Sequence, residues 1–133
     1  MSLLLDTHVW IWSQETPSEL GERTRNLLTH PGQVIYVSPV STLEMAQLVA
    51  RGAIRLSGSL LGWVNDTLEA LQAMTLQFSH EVAVEAYSLP GALHKDPADR
   101  ILTATARLNR LTLVTADDRL LEYPHVESHD ARR

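Results

Sequence analysis

Four carboxylates stand where the chain leaves a regular element. Asp6 closes the apolar run Leu3-Leu4-Leu5, and Asp117 follows the run from Leu111 to Thr115. Glu44 comes soon after the β-rich Val34-Ile35-Tyr36-Val37, in the first turn of the helix expected there. Asp99 lies just inside a helix start at Asp96-Pro97. Carboxylates gathered at one place repel one another or take up protons. A hard divalent cation removes that conflict, because magnesium and manganese accept oxygen ligands and leave positions for water and phosphate. Such an ion polarises a phosphodiester, lowers the pKa of a bound water and stabilises the leaving oxygen. The chain has no cysteine, which excludes disulfides, thiolate metal sites and cysteine nucleophiles. An acidic set without histidine or cysteine ligands points to phosphodiester chemistry rather than to a zinc hydrolase.

Each acid also fits an ordinary structural role. Asp6 suits the cap of a helix starting at Thr7. Ser41-Thr42-Leu43-Glu44 matches the capping box, in which the glutamate bonds back to the cap residue's amide. Asp96 and Asp99 occupy the cap and third positions of their helix, where the helix dipole favours negative charge. Asp117-Asp118 suits a turn. Those roles do not predict that the four acids collect at one edge of a sheet, which is where the element order points.

That order follows from the hydrophobic pattern. Strands are expected at Leu3–Leu5, Val34–Val37, Thr75–Phe78 and Leu111–Thr115. A helix carrying Trp10 and Trp12 follows Asp6, with at most one of the two facing the core. Further helices are expected over Ser18–Thr29, Ser41–Arg51 with Gly52 closing it, Ser59–Gln72, Ser79–Leu89 and Asp96–Asn109. Leu60, Leu61, Val64, Leu68 and Leu71 form the inner stripe of one of these. Ile101, Leu102, Thr105 and Leu108 form that of another. Strands alternating with helices imply an α/β fold with a mostly parallel central sheet of four to five strands flanked by helices, in a single domain over residues 1–133. Open sheets of this kind bind ligands beyond the carboxyl ends of their strands. Asp6, Glu44 and Asp117 fall there directly, and Asp99 joins them if its helix starts alongside.

With 133 residues, 44% of them hydrophobic, the chain has the size and the apolar content of one ordinary domain. Its first residues are too short an apolar run, and too poor in basic residues, for a signal peptide. No stretch reaches the roughly 20 apolar residues of a membrane span, so a cytoplasmic protein without membrane contact is expected. A formal charge of −5 excludes a broad basic footprint for nucleic acid. Bound metal would have to supply the missing positive charge. Among the lesser candidates, Thr115 could hydrogen-bond a carboxylate or a metal-bound water, and Arg100 could hold a carboxylate, touch phosphate or merely pair at the surface. His94 reads as an ordinary loop histidine.

Four segments together resemble the PIN domain: Leu4-Leu5-Asp6-Thr7-His8, Ser38-Pro39-Val40-Ser41 leading to Glu44, His94-Lys95-Asp96-Pro97-Ala98-Asp99-Arg100, and Leu113-Val114-Thr115-Ala116-Asp117. More narrowly they resemble the VapC-like toxins of bacterial toxin–antitoxin pairs. The resemblance covers essentially the whole chain in the right order. It implies an acidic quartet of Asp6, Glu44, Asp99 and Asp117 that is both catalytic and metal-binding, with Mg2+ or Mn2+ as cofactor. It further implies hydrolysis of single-stranded or loop RNA by a metal-activated water, with Thr115 and Asp96 as supporting residues. A homodimer and a cognate antitoxin that covers the site are also expected of such a protein.

Two other readings compete. A phosphoryl-transfer domain with an aspartate nucleophile would pair two acids near the first strand, or set a lysine late in the chain. Here Asp6-Thr7-His8 lacks the second acid, and Lys95 is the only lysine. A PIN-like binding module without catalysis would be expected to have lost one or more of the carboxylates, and this chain has all four.

Overall fold

The computed structural model describes residues 1–133 and contains five strands and seven α-helices. In chain order these are β1 (Ser2–Leu5), α1 (Thr7–Glu15), α2 (Glu22–Thr29), β2 (Val34–Val37), α3 (Pro39–Ala50) and α4 (Leu60–Leu71). Then follow β3 (Met74–Thr75), α5 (His80–Glu85), α6 (Pro97–Asn109), β4 (Thr112–Thr115), α7 (Asp118–Leu121) and β5 (Ser128–Asp130). All strand pairs are parallel, in the order β3-β2-β1-β4-β5. The chain builds outward from β1 on one side and then returns to build on the other. The topological switch point, where a ligand crevice is expected, therefore lies between β1 and β4.

The triple leucine of β1 shows why this strand is central. Leu3 and Leu5 enter one core cluster and Leu4 the other, as the pleat demands, and all three are fully buried. One face of the sheet is covered by Val9, Trp10 and Ile11 of α1 and by Trp63 and Val64 of α4. Leu102 and Ala106 of α6, Val40 of α3 and Leu120 of α7 pack on the other. Burial on both faces is what a parallel sheet requires, and it explains the unbroken apolar runs. Trp10 is fully buried, with its indole N–H 3.0 Å from Thr67 Oγ1, while Trp12 is half-buried. Trp12 nonetheless packs against the edge of the same core cluster and lines the acidic cavity, so the expectation that at most one of the two meets the core is corrected.

Several boundaries differ from expectation. The segment from Ser18 is not one helix. A 3₁₀ turn over Pro17–Glu19 is followed by extended Leu20 and Gly21 before α2 begins. Gly21 donates its N–H to the Ala131 carbonyl at 2.9 Å, and a Cβ there would meet the Arg133 backbone at 2.0 Å, so the chain opens to seat the tail. The helix expected from Ser41 begins at Pro39, capped by the Ser38 hydroxyl, which accepts from the Val40 amide at 3.2 Å. Glu44 is thus in the second turn, and the capping box does not form. The third strand is only Met74–Thr75, at the sheet edge, where Phe78 is largely exposed. Helix α5 stops at Glu85, and the following turn returns Leu89 to pack with Val82 and Ala86. Leu61 is 68% exposed because Trp63 and Thr67 occupy the inward stripe of α4; Leu108 is 42% exposed in the last turn of α6. No helix is long and apolar enough to cross a membrane.

Candidate active site

Beyond the carboxyl ends of β1 and β4 lies a cavity of about 380 Å³. Asp6, Glu44, Asp96, Asp99 and Asp117 all line it, so the four acids of the expected quartet and the supporting acid Asp96 meet at one place. Thr115 does not reach the cavity; it lies buried beneath it.

Asp6 leaves β1 and caps α1, its Oδ1 accepting from the Thr7 amide at 2.7 Å. Its Oδ2 accepts from the Thr115 hydroxyl at 2.6 Å. That same hydroxyl accepts from the Asp117 amide at 3.1 Å. One β-branched residue at the end of β4 thereby fixes acids on two neighbouring strands. The capping role and the site role of Asp6 coexist, because each uses a different oxygen. Burial pushes the Asp6 carboxyl above its ordinary range, against the lowering effect of the Thr115 hydroxyl.

Glu44 is held from α1. The Thr7 hydroxyl donates to Glu44 Oε1, and the Ser41 hydroxyl lies 3.0 Å from Thr7 Oγ1. The Glu44 carboxyl is pushed up by burial, offset by Thr7, and pushed further by the charges of Asp6 and Asp99. Thr7 and Ser41 are functional-site residues that sequence reasoning missed. Their signal was proximity in the chain, one residue after Asp6 and three before Glu44.

Asp96 caps α6, its Oδ1 accepting from the Asp99 amide at 3.1 Å. Asp99 is buried, and its carboxyl is raised to about 6, first by burial and then by the charges of Asp6 and Asp96. Opposing them is His94, whose Nε2 lies 2.6 Å from Asp99 Oδ2. A carboxylate only accepts, so when Asp99 is ionised the ring carries its proton on Nε2. His94 Nδ1 is buried and has no partner. The reading of His94 as an ordinary loop histidine is therefore corrected: it packs on a site carboxylate. Of the roles open to Arg100, the hold on a carboxylate is not the one it takes. Its guanidinium donates to the carbonyls of Ala86 at 2.8 Å and Leu93 at 2.9 Å and lies over the Tyr87 ring, touching no carboxylate. It fixes the loop that delivers His94.

Asp117 caps the short α7 through the Arg119 amide at 2.9 Å. The Arg119 guanidinium returns to the same carboxylate, with Nε 3.3 Å from Oδ1 and Nη2 3.0 Å from Oδ2. It reaches Asp99 Oδ2 at 3.9 Å. The Arg119 hydrogen bond holds the Asp117 carboxyl below its usual value. Arg119 is a further residue absent from the sequence reading; a basic residue two positions past the acid was its only mark.

These groups fit a divalent cation. Single ligand atoms of His94, Asp99 and Asp117 lie within 4.8 Å of one another. Three of the surrounding carboxyls are raised by burial and mutual repulsion, a conflict that positive charge would relieve. The guanidinium already bridging Asp117 and Asp99 shows that a cation is favoured there.

Comparison with known proteins agrees with this architecture. The family description "PIN domain" matches residues 3–126. Ribonuclease VapC22 of Mycobacterium tuberculosis is 32% identical over 124 residues, 93% of each chain. The fold is shared with solved toxin–antitoxin structures. VapBC from Salmonella typhimurium, solved bound to DNA, superposes with a TM-score of 0.69 at 19% identity, covering 98% of both chains. VapBC2 from Rickettsia felis gives 0.68 at 16% identity, covering 97% of this chain and 98% of that one. On the match across residues 3–126 and the VapC22 identity, the chain belongs to the PIN-domain family and, within it, stands with the VapC proteins.

Proposed function

We propose that this protein is an endoribonuclease that depends on Mg2+ or Mn2+ and serves as the toxin of a toxin–antitoxin pair. The observation that carries the reading is the convergence of five carboxylates on one cavity at the switch point of the sheet. The 32% identity to a protein named as a ribonuclease supports the reaction class.

Asp6, Glu44, Asp99 and Asp117 are the residues that would hold the ion. Bound there, it supplies the positive charge that polarises a scissile phosphate and acidifies a water. The protein's own part is to fix the carboxylates. Thr115 holds Asp6, Thr7 holds Glu44, His94 holds Asp99, and the Asp96 cap sets the start of the helix that carries Asp99. Glu44 keeps Oε2 outside its bond to Thr7, and this oxygen is suited to take a proton from an incoming water. Thr115 and Asp96 are positioning residues. The partners that go with this reading are RNA, a protein antitoxin whose tail covers the cavity, and a second copy of the chain in a homodimer. The setting is the cytoplasm.

The test is cleavage of single-stranded and loop RNA in manganese by the wild type and by Asp99→Asn. Cleavage that needs the metal and disappears in the variant is the expected result. Undiminished cutting by Asp99→Asn would sink the assigned mechanism.

A further inference from the structure

We propose that Arg119 competes with the divalent cation for Asp117 and Asp99 and, once displaced from them, pairs with a phosphate of the RNA strand. This rests on the endoribonuclease reading above, and it adds a substrate-binding residue to that site. Arg119 is the only Arg or Lys lining the acidic cavity. Its guanidinium grips Asp117 through two nitrogens and stretches to Asp99 at 3.9 Å. The same two acids form, with His94, a group whose ligand atoms lie within 4.8 Å of one another. The grip on Asp117 takes up lone pairs on both of its oxygens, and two cations on one carboxylate repel, so a metal ion there weakens the guanidinium's hold, and the reverse.

The side chain is free to go. It is 61% exposed, and no contact but the carboxylates holds its guanidinium. Its backbone stays in place, because the Arg119 amide is bonded to Asp117 Oδ1 at 2.9 Å. The neighbouring acid Asp118 already carries one guanidinium, Arg132 Nη2 lying 2.7 Å from its Oδ1. A guanidinium loosened from Asp117 stands exposed at the mouth of the cavity, where a substrate anion enters. A phosphate suits it, being a planar fork's preferred bidentate partner.

The experiment compares the wild type with Arg119→Ala and Arg119→Lys. Manganese affinity is read by calorimetry in the absence of nucleic acid. Binding of a phosphorothioate-linked single-stranded oligonucleotide is read at saturating manganese. Removing an exposed competitor should tighten manganese binding in Arg119→Ala by about two- to fivefold. Oligonucleotide binding should weaken by about three- to tenfold, and its salt slope should fall by about 0.7. Arg119→Lys, which keeps the charge, should recover most of that binding. Manganese affinity unchanged or weakened in Arg119→Ala would overturn the competition. Unchanged oligonucleotide binding would overturn the phosphate contact. Manganese that binds neither the wild type nor the variants would remove the metal-dependent reading itself, a result distinct from either of these.

Discussion

The site shows how little covalent machinery such a residue set needs and how much depends on hydroxyls placed behind it. Thr115 accepts from one acid's amide and donates to another's carboxylate, so its loss should be felt twice. In Thr115→Val the shape is kept and the buried Asp6 oxygen loses its donor. Stability should fall by about 1–3 kcal/mol in denaturant titrations at pH 8. The deficit should shrink in acid, where Asp6 is protonated and needs no donor. A loss independent of pH would mean that the hydroxyl supports the backbone rather than the carboxylate. Asp99 makes a second titratable prediction. Its carboxyl is raised from 3.8 to about 6, so between these values the folded chain holds a proton that the unfolded chain has released. Stability from this group is thus present below about pH 4 and lost as pH rises to about 6. Urea titrations in a chelator should show that decline in the wild type, and a flatter profile in Asp99→Asn. Equal slopes would place the proton elsewhere in the cluster.

Among the elements, the seating of the tail against the start of α2 is the clearest structural device. Gly21 donates to Ala131, and the Arg23 and Thr24 amides donate to the Arg133 oxygen at 2.9 and 3.4 Å. Thr24, fully buried, meets His129 at 2.9 Å. Gly21→Ala should push the Arg133 backbone out of this berth and cost about 1–3 kcal/mol, read by chemical denaturation. An unchanged midpoint would show that the tail contributes nothing to stability. This arrangement also marks what the sequence could not disclose. Strands β1 and β4 are legible as apolar runs buried on both faces, and β2 by its β-branched and aromatic residues, although Val34 and Tyr36 leave one of its faces partly exposed. Strand β5, Ser128-His129-Asp130, has no such pattern, since it lies at the edge and owes its place to pairing with β4. Asp6 and Asp117 could be read from the ends of their strands, and Asp99 from Asp96-Pro97. Thr7, Ser41 and His94 could not, because each acts on a residue of another turn or element, and Arg119 could not because a basic residue two positions past an acid is commonplace. A hydroxyl or a histidine in a sequence does not say what it will face. Glu44 was legible as an acid in the right helix, but the capping box misplaced it by a turn, because Ser38 and Ser41 are both competent caps and proline at position 39 decides for the first.

For the whole molecule, the charge ledger governs how nucleic acid can be held. The chain has 11 basic residues against 16 acidic ones. Six of the basic side chains are already committed to partners in the fold. Arg25 and Arg100 hold backbone carbonyls, Arg107 holds the His125 carbonyl, and Arg119, Arg132 and Arg133 face aspartates. A broad phosphate footprint is therefore not available, and the cavity itself repels an anion until it carries a cation. Two consequences follow on one axis. Manganese at about 100 times its dissociation constant should raise stability by about 2.7 kcal/mol, reversibly with chelator, and Asp99→Asn should lose most of that gain. Oligonucleotide binding should then appear only with the metal present, and with a shallow dependence on salt. For roughly three phosphates neutralised on a single strand, log K should fall against log salt with a slope near −2. A slope of −5 or steeper would reveal a basic surface that this fold does not display in one copy. The RNA would then have to lie across more than one chain, bringing the uncommitted Arg23, Arg51, Arg55, Lys95 and Arg110 of two copies to bear on a single strand.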